Sequence, residues 1–200
     1  MHPNPSFRST PAEMNLAFAR TRGFGILSVN GPEGPLAAHI PFLLSADASF
    51  ADLHLARSNP VARADLPQTA ILMVSGPDAY VSPDWYGVED QVPTWNYIAV
   101  HLRGVLTALP DSALAAHVDA LSAAHEFRLL PKAPWVSTKM TAGVMARMLR
   151  MIRPLRLTIA SVDGTWKLNQ NKPAAVRAKA ADHLSAQPDS GAQAIAALMR

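Results

Sequence analysis

The chain of 200 residues contains no cysteine. Disulfides, iron–sulfur clusters held by cysteine and thiolate zinc sites are therefore excluded. No apolar run approaches the roughly 18 to 20 residues that a membrane span needs. The opening residues MHPNPSFRSTPAEM also lack the basic and apolar regions of a signal peptide. These absences predict a cytoplasmic protein without membrane contact.

Sequence fingerprints of common enzyme classes are also missing. The chain has no G-x-S-x-G nucleophile motif, no phosphate-binding P-loop and no Rossmann glycine pattern. Its seven histidines form no HxxxH or HExxH pair, so no metal site is predicted. His39 and His101 stand among apolar strand residues, and both are interpreted as hydrogen-bonded core histidines.

The charge balance is mildly basic, with 18 Lys and Arg against 15 Asp and Glu, a net charge of +3. Basic residues cluster only around a predicted helix over residues 141–153, at Lys139, Arg147, Arg150 and Arg153. Nucleic-acid binding through charge requires such clustering on one face. The helix is interpreted as packed, with a solvated basic edge, and direct DNA contact is kept as an alternative.

Cap and turn signals divide the chain into short elements. Thr10-Pro11-Ala12-Glu13 is typical of a capping box, and Asn59 and Asp111 are predicted N-caps. The predicted helices cover residues 11–20, 60–66, 111–127 and 141–153, followed by a helix that starts at Lys172-Pro173. One domain is expected over residues 1–185, with a C-terminal tail over 186–200 that has helical character in its last turns.

Six or seven short strands are predicted between these helices. GFGILSVN and LAAHIPFLL pair across a tight turn, DLHLA is a short strand, and TAILMVSG is expected to be buried on both faces. LRLTIASVDGTWK is predicted to be a hairpin that turns at Asp163-Gly164. Because there is no regular βαβ alternation, the predicted fold class is mainly β (α+β), a mostly antiparallel barrel with peripheral helices.

The stretch VPTWNYIAVHLRG opens a further strand. Ile98, Val100, Leu102 and Val105 are assigned to its apolar face. Trp95, Asn96 and Tyr97 stand together at the start of this strand. Such a group either plugs the end of a barrel or lines a site for a flat ligand.

Two further segments carry candidate binding residues. In HLARSNP, Arg57 precedes a predicted helix start and can fork onto phosphate oxygens, with Ser58 and Asn59 beside it. The simpler interpretation makes Asn59 a helix cap and Arg57 a surface charge. In WKLNQNK, Lys167 and the carboxamides of residues 169–171 suit a heterocycle, although a turn held by side-chain hydrogen bonds is the favoured interpretation of that segment alone.

Taken in order, these motifs resemble a known family. GFGILSVNGPEGPLAAHIPFLL, HLARSNP, GPDAYVSPDWY, VPTWNYIAVHLRG and DGTWKLNQNKP look like the successive motifs of the PaiB-type family, whose members are described as FMN-binding negative transcriptional regulators. The resemblance covers roughly residues 1–180. YVSPDWY and VPTWNY are its most specific parts.

The resemblance implies an FMN-binding split β-barrel, with homodimers that hold flavin mononucleotide (FMN) at the subunit interface. By this analogy the backbone of residues 39–42 lies along the flavin, residues 57–59 approach its phosphate, and the aromatic motif lies near the flavin or the dimer seam. The implied cofactor-binding residues are His39, Ile40, Pro41, Arg57, Ser58, Asn59, Trp95, Asn96, Tyr97, Lys167, Gln170 and Asn171. No catalytic residue is assigned.

The chain departs from the family pattern at Arg153-Pro154-Leu155-Arg156, where relatives often carry a glycine and an acid. This change is expected to alter local charge and the surface offered to a partner. Four functions stay open. They are a flavin-binding transcriptional or metabolic regulator, an FMN-dependent oxidoreductase acting on an unidentified small molecule, a haem-binding or haem-degrading barrel with His39, His101 or His125 as axial ligand, and a DNA-binding dimer.

Overall fold

A computed structural model describes residues 1–200, which form six β-strands and six α-helices joined by short 3-10 turns. The strands are β1 (Phe24–Gly31), β2 (Gly34–Leu44), β3 (Phe50–Ala56), β4 (Gln68–Val81), β5 (Thr94–Ala108) and β6 (Ile152–Lys167). The helices are α1 (Ala12–Arg22), α2 (Pro60–Arg63), α3 (Leu114–Glu126), α4 (Val144–Leu149), α5 (Ala174–Ser185) and α6 (Ser190–Met199).

The strands form a closed barrel in the order β1-β2-β3-β6-β5-β4. The pairs β1–β2, β1–β4, β2–β3 and β3–β6 are all antiparallel. The predicted antiparallel barrel with peripheral helices is therefore confirmed. No helix is both long enough and apolar enough to cross a membrane.

The chain forms two compact units, each built from separate segments. The first unit comprises Met1–Phe18, Val74–His101 and Asp163–Arg200. The second comprises Ala19–Met73 and Leu102–Val162. In the first unit, α5 and α6 pack through Ala180, Leu184, Ile195 and Met199, all buried, so the C-terminal tail contributes a helix to a core.

Strand β5 has the alternation that its sequence predicts. Ile98, Val100 and Leu102 are buried, and Asn96 shares their phase. Val105 lies outside this phase and is exposed, so its assignment to the apolar face is wrong. The same alternation holds in the TAILMVSG part of β4, where alternate residues are buried. The expectation that this segment is buried on both faces is therefore also wrong.

Strand β6 runs without a break through Asp163-Gly164, so the predicted hairpin is wrong. Gly164 serves a close approach instead of a turn. A β-carbon at this position would lie 2.0 Å from Oδ1 of Asn15, a buried side chain of α1. The same oxygen accepts a hydrogen bond of 2.8 Å from Nε1 of Trp166. A side chain from a distant segment thus explains a glycine that the local pattern assigns to a turn.

Three helices differ from their predicted extents. Helix α2 covers only four residues because Ala64 adopts an extended conformation, with ψ at 153°. Helix α4 has six residues, which is shorter than the predicted 141–153. Asp111 gives no side-chain cap and lies in a 3-10 turn before α3. Its carboxylate instead forms an ion pair of 2.7 Å with Arg57.

The unusual arginines of β6 are satisfied within the second unit. Arg156 forms two hydrogen bonds to Asp52 of β3, at 2.6 and 2.8 Å, and its guanidinium lies 3.6 Å from the ring centroid of Phe50. Arg153 donates to the carbonyl oxygen of Ala62. These contacts join β6 to its neighbours, so both guanidinium groups have hydrogen-bond partners within this unit.

A pair of histidines joins β3 to α3 in the second unit. Nδ1 of His54 and Nε2 of His117 are 3.0 Å apart, and His117 is only 7% exposed. Burial lowers the pKa of both side chains, and the pKa of His117 is lowered further by the neighbouring His54. The folded protein therefore favours the neutral pair.

We predict that Gly164→Ala destabilises the protein by about 2 kcal/mol or more, because the new methyl group must displace a buried amide. Chemical denaturation measures this change in the free energy of unfolding. In the double variant with Asn15→Ala, the Gly164→Ala change should cost clearly less. Equal costs in both backgrounds would show that the approach to Asn15 is not the reason for the glycine.

We also predict that acidification destabilises the protein through the histidine pair. The unfolded chain takes up these protons at about pH 6.5, whereas the folded protein does so only at lower pH. The stability that the neutral pair contributes is therefore fully present above about pH 6.5. This contribution is lost as the pH falls below that value. Urea unfolding at a series of pH values should show a smaller loss in His117→Leu, whereas the exposed-site control His39→Gln should match wild type.

Candidate functional site

The first unit contains a small cavity with two lysines in its wall. It has a volume of about 160 Å³. We call it the lysine cavity, and it is lined by Phe7, Tyr86, Val92, Thr94, Lys167, Asn169, Asn171 and Lys172. Four elements bring these residues together: the N-terminal segment, the 3-10 turn Pro83–Tyr86, the start of β5, and the end of β6 with the turn that follows it.

Local geometry fixes the polar side of the lysine cavity. Lys167 is the last residue of β6, and its Nζ donates to Oγ1 of Thr94, the first residue of β5. Asn169 adopts a positive φ of 59° and is buried, and its Nδ2 donates to the hydroxyl of Tyr86 at 3.0 Å. The turn thereby places Lys167 and Lys172 on either side of the carboxamides.

The two ammonium groups of the lysine cavity have neutral partners. Lys167 bonds to a hydroxyl, while Nζ of Lys172 bonds to Oε1 of Gln91 and lies 4.2 Å from the ring centroid of Tyr86. No carboxylate lines the cavity. Burial lowers the pKa of Lys167, which means that its charged form is less stable here than in water. An anionic ligand would supply the missing counter-charge, and an electron-rich neutral one would accept hydrogen bonds from the ammonium groups.

Trp95, Asn96 and Tyr97, the consecutive residues at the start of β5, lie in different environments. Trp95 is 51% exposed, and its Nε1 donates to Oδ1 of Asp78 at 2.9 Å. Asn96 is 0% exposed and donates to Sδ of Met199 at 3.3 Å, while its Oδ1 is buried without a partner. Tyr97 is half-buried. A ligand at the surface can therefore touch the Trp95 side chain but not that of Asn96.

The predicted flavin-facing strand lies in the second unit. His39, Ile40 and Pro41 pair with β1, whereas β3 pairs with β2 only through residues 42–44. His39 is exposed, so its interpretation as a core histidine is wrong; the alternation that buries Ala38, Ile40 and Phe42 turns it outward. The side chain of Ile40 belongs to the core, which leaves its backbone as the part that a flavin could contact.

The predicted phosphate-binding residues also lie in the second unit. Arg57 is held by Asp111 and by the carbonyl oxygen of Arg150, at 2.7 and 2.9 Å. Ser58 is exposed. The side chain of Asn59 accepts a hydrogen bond from the backbone nitrogen of Val61 at 2.9 Å, which is the capping role of the simpler interpretation. A phosphate at Arg57 would have to share this guanidinium with a carboxylate.

Of the three predicted residues in WKLNQNK, Lys167 and Asn171 line the lysine cavity. Gln170 stabilises the turn itself, because its side chain bonds to the backbone of Leu168 and Trp166 at 2.8 and 2.5 Å. Five further residues of this cavity were not predicted from the sequence: Phe7, Tyr86, Val92, Thr94 and Lys172. Lys172 could have been found as the second lysine flanking the carboxamides. Tyr86, Val92 and Thr94 belong to the motifs YVSPDWY and VPTWNY, but no local pattern places them beside Lys167, and Phe7 carries no local signal.

The histidines considered as haem ligands occupy unlike environments. His39 is exposed, whereas His101 and His125 are half-buried. No cluster of three or more His, Asp or Glu side chains is suited to hold a metal ion. None of the three histidines lines the lysine cavity.

Comparison with solved structures shows the fold class to which this barrel belongs. The chain matches the FAD and haem binding protein of Mycobacterium smegmatis with a TM-score of 0.57 and 18% identity, covering 80% of this chain and 73% of that one. It matches the flavocytochrome Anf3 of Azotobacter vinelandii with a TM-score of 0.58 and 17% identity, covering 83% and 72%. At these identities the likeness establishes the fold, which is the flavin-binding split barrel.

The chain belongs to the family described as "Putative FMN-binding domain", whose model matches residues 1–161. It is 28% identical over 196 residues to the Protease synthase and sporulation protein PAI 2 of Bacillus subtilis. This match covers 96% of this chain and 93% of the relative. The PaiB-type resemblance of the sequence is therefore confirmed, and FMN is the cofactor that the family supports.

The residues of the lysine cavity are chemically suited to one end of an FMN molecule. Small-molecule sites usually enclose about 300 Å³ or more, so this cavity of about 160 Å³ would enclose only part of the cofactor. Its donors, two ammonium groups and two carboxamides, suit a phosphate or the carbonyl-bearing edge of a flavin. The bound cofactor would supply redox chemistry, and these residues would bind and orient it.

We predict that Asn169→Ala destabilises the protein more than Asn169→Gly. Both variants lose the hydrogen bond to Tyr86, worth about 1 kcal/mol, but only alanine must also adopt the left-handed conformation, at about 1 kcal/mol more. Chemical denaturation of the two variants measures the difference directly. A glycine variant less stable than the alanine variant would contradict the backbone argument.

Proposed function

We propose that this protein is an FMN-binding regulatory protein that works as a homodimer, with the flavin bound through the lysine cavity. The observation that carries the proposal is the pair of ammonium groups, Lys167 and Lys172, held against neutral acceptors in a cavity without a carboxylate. Membership of the FMN-binding family supports the flavin part of the proposal. The name of the Bacillus subtilis relative, Protease synthase and sporulation protein PAI 2, supports the regulatory part.

The homodimer is supported by apolar side chains that one subunit leaves in water. Phe127, Leu129 and Leu130 follow α3 in one run, and each is more than half exposed. Contiguous exposed apolar surface is typical of an interaction site. A second copy of the chain is the partner we propose, and sedimentation velocity over a range of protein concentrations tests it.

A second candidate function is an FMN-dependent oxidoreductase. The lowered pKa of Lys167 favours it, because perturbed lysines beside a cofactor serve in proton transfer more readily than ordinary ones. An enzyme should oxidise NADH or NADPH in the presence of FMN and an acceptor. A regulator should bind FMN with little turnover.

The proposal predicts that FMN binds and that Lys167→Met weakens binding about tenfold or more, because a charge-assisted contact is lost. Titration of apoprotein by flavin fluorescence measures the affinity, and the absorbance spectrum of freshly purified protein reports any flavin carried along. Lys179→Met, an exposed lysine on α5 outside the cavity, is the matched control and should bind like wild type.

Riboflavin, which lacks the phosphate, shows which end of FMN the lysines contact. If they contact the phosphate, Lys167→Met should weaken FMN but not riboflavin. Absence of FMN binding to the wild-type protein would remove the proposal. A Soret band on haem titration would then bring forward the haem alternative, and loss of that band on replacing His39, His101 or His125 would identify the ligand.

A further inference from the structure

A second cavity of the first unit has a different chemistry. It measures about 570 Å³, within the range of about 300 to 1,000 Å³ typical of small-molecule sites. We call it the aromatic cavity. Its walls come from β4, β5, the 3-10 turn before Gly87 and the α5–α6 connection, through Pro77, Asp78, Ala79, Tyr80, Trp85, Trp95, Leu184, Gln187, Pro188, Asp189, Gly191 and Ala192.

Three large aromatic rings line this cavity. Tyr80 and Trp95 are 46% and 51% exposed, and their ring centroids are 6.1 Å apart at an interplanar angle of 63°. Trp85 is held by stacking on His183, with centroids 5.7 Å apart and planes within 14°. Rings inclined to one another in this way present both faces and edges to a ligand between them.

Two carboxylates complete the aromatic cavity. Oδ1 of Asp78 accepts the hydrogen bond from Nε1 of Trp95 at 2.9 Å, which orients the indole ring. Oδ1 of Asp189 accepts from the backbone nitrogen of Ala192 at 2.7 Å and caps α6. No lysine or arginine lines the cavity. In a chain of net charge +3, this wall is negative and aromatic.

We propose that the aromatic cavity binds a small organic ammonium ion whose charge is spread over alkyl groups, such as a quaternary ammonium. Aromatic faces attract cations through the ring quadrupole, and this attraction grows when the cation is poorly hydrated. Asp78 supplies a full opposite charge beside Trp95. A primary ammonium is more strongly hydrated, so it loses more hydration free energy on entering the cavity. The alkylated ion is therefore the better fit.

The ammonium site is separate from the lysine cavity, since the two share no lining residue. Half of its wall, from Leu184 to Ala192, also lies beyond residues 1–161 that the family model matches. The inference therefore goes beyond FMN binding. It assigns Trp95 to a ligand other than the flavin that the family resemblance implies.

Choline and its uncharged isostere 3,3-dimethylbutan-1-ol test the proposal in the full-length protein. Isothermal titration calorimetry should show that choline binds about tenfold or more tightly than the isostere, which is the contribution of a desolvated cation–π contact. Trp95→Leu and Asp78→Asn should each weaken choline binding about fivefold or more. Trp135→Leu replaces a tryptophan of the second unit and should leave it unchanged, with thermal melts confirming that each variant is folded.

Two results would overturn the proposal. One is equal affinity for choline and the alcohol, which would make the cavity a general apolar pocket. The other is competition between choline and FMN together with loss of FMN binding in Trp95→Leu, which would make the cavity part of the flavin site. FMN affinity measured in the same variants keeps failure of the ammonium site distinct from failure of the flavin site.

Discussion

The contact between Asn15 and the backbone at Gly164 is the constraint on which the candidate flavin site depends. It occupies the space of a side chain at residue 164 and so accounts for the glycine in the middle of β6. The same carboxamide holds the indole of Trp166. Lys167, the next residue, then ends the strand beside Thr94. The unbroken strand thereby places the ammonium group of Lys167 beside the hydroxyl of Thr94.

Within the first unit, charge is sorted between two cavities. The lysine cavity has two ammonium groups and no carboxylate, and the aromatic cavity has two carboxylates and no basic side chain other than the histidine behind Trp85. Ligands of opposite sign would therefore be directed to different places in one small unit.

The fold could be predicted from the sequence where the signal was local and periodic. The alternation of Ile98, Val100 and Leu102 places β5 correctly, because a period of two is set by neighbouring residues alone. The hairpin predicted at Asp163-Gly164 was wrong because the turn signal of this pair is local. The reason for the glycine is Asn15, which lies far away in the sequence. The N-cap predicted at Asp111 was wrong for the same reason, because its carboxylate pairs with the distant Arg57 instead of capping the helix.

The site was only partly predictable for the same reason. Lys167 and Asn171 belong to a recognisable motif, and both line the lysine cavity. Tyr86 and Thr94 reach it from a 3-10 turn and from the start of another strand, and no local pattern states that these ends meet. His39 could have been placed correctly, because Ala38 and Ile40 on either side of it carry the apolar phase of β2.

The pKa of Lys167 shows most directly whether the lysine cavity holds the flavin. Nuclear magnetic resonance of labelled lysine side chains measures it in the free protein and with FMN. Burial without a counter-charge lowers this pKa in the free protein, and an anion at the ammonium group should raise it again. We therefore expect a depressed pKa that rises on addition of FMN. An ordinary pKa that FMN leaves unchanged would contradict the claim that these lysines form the flavin site.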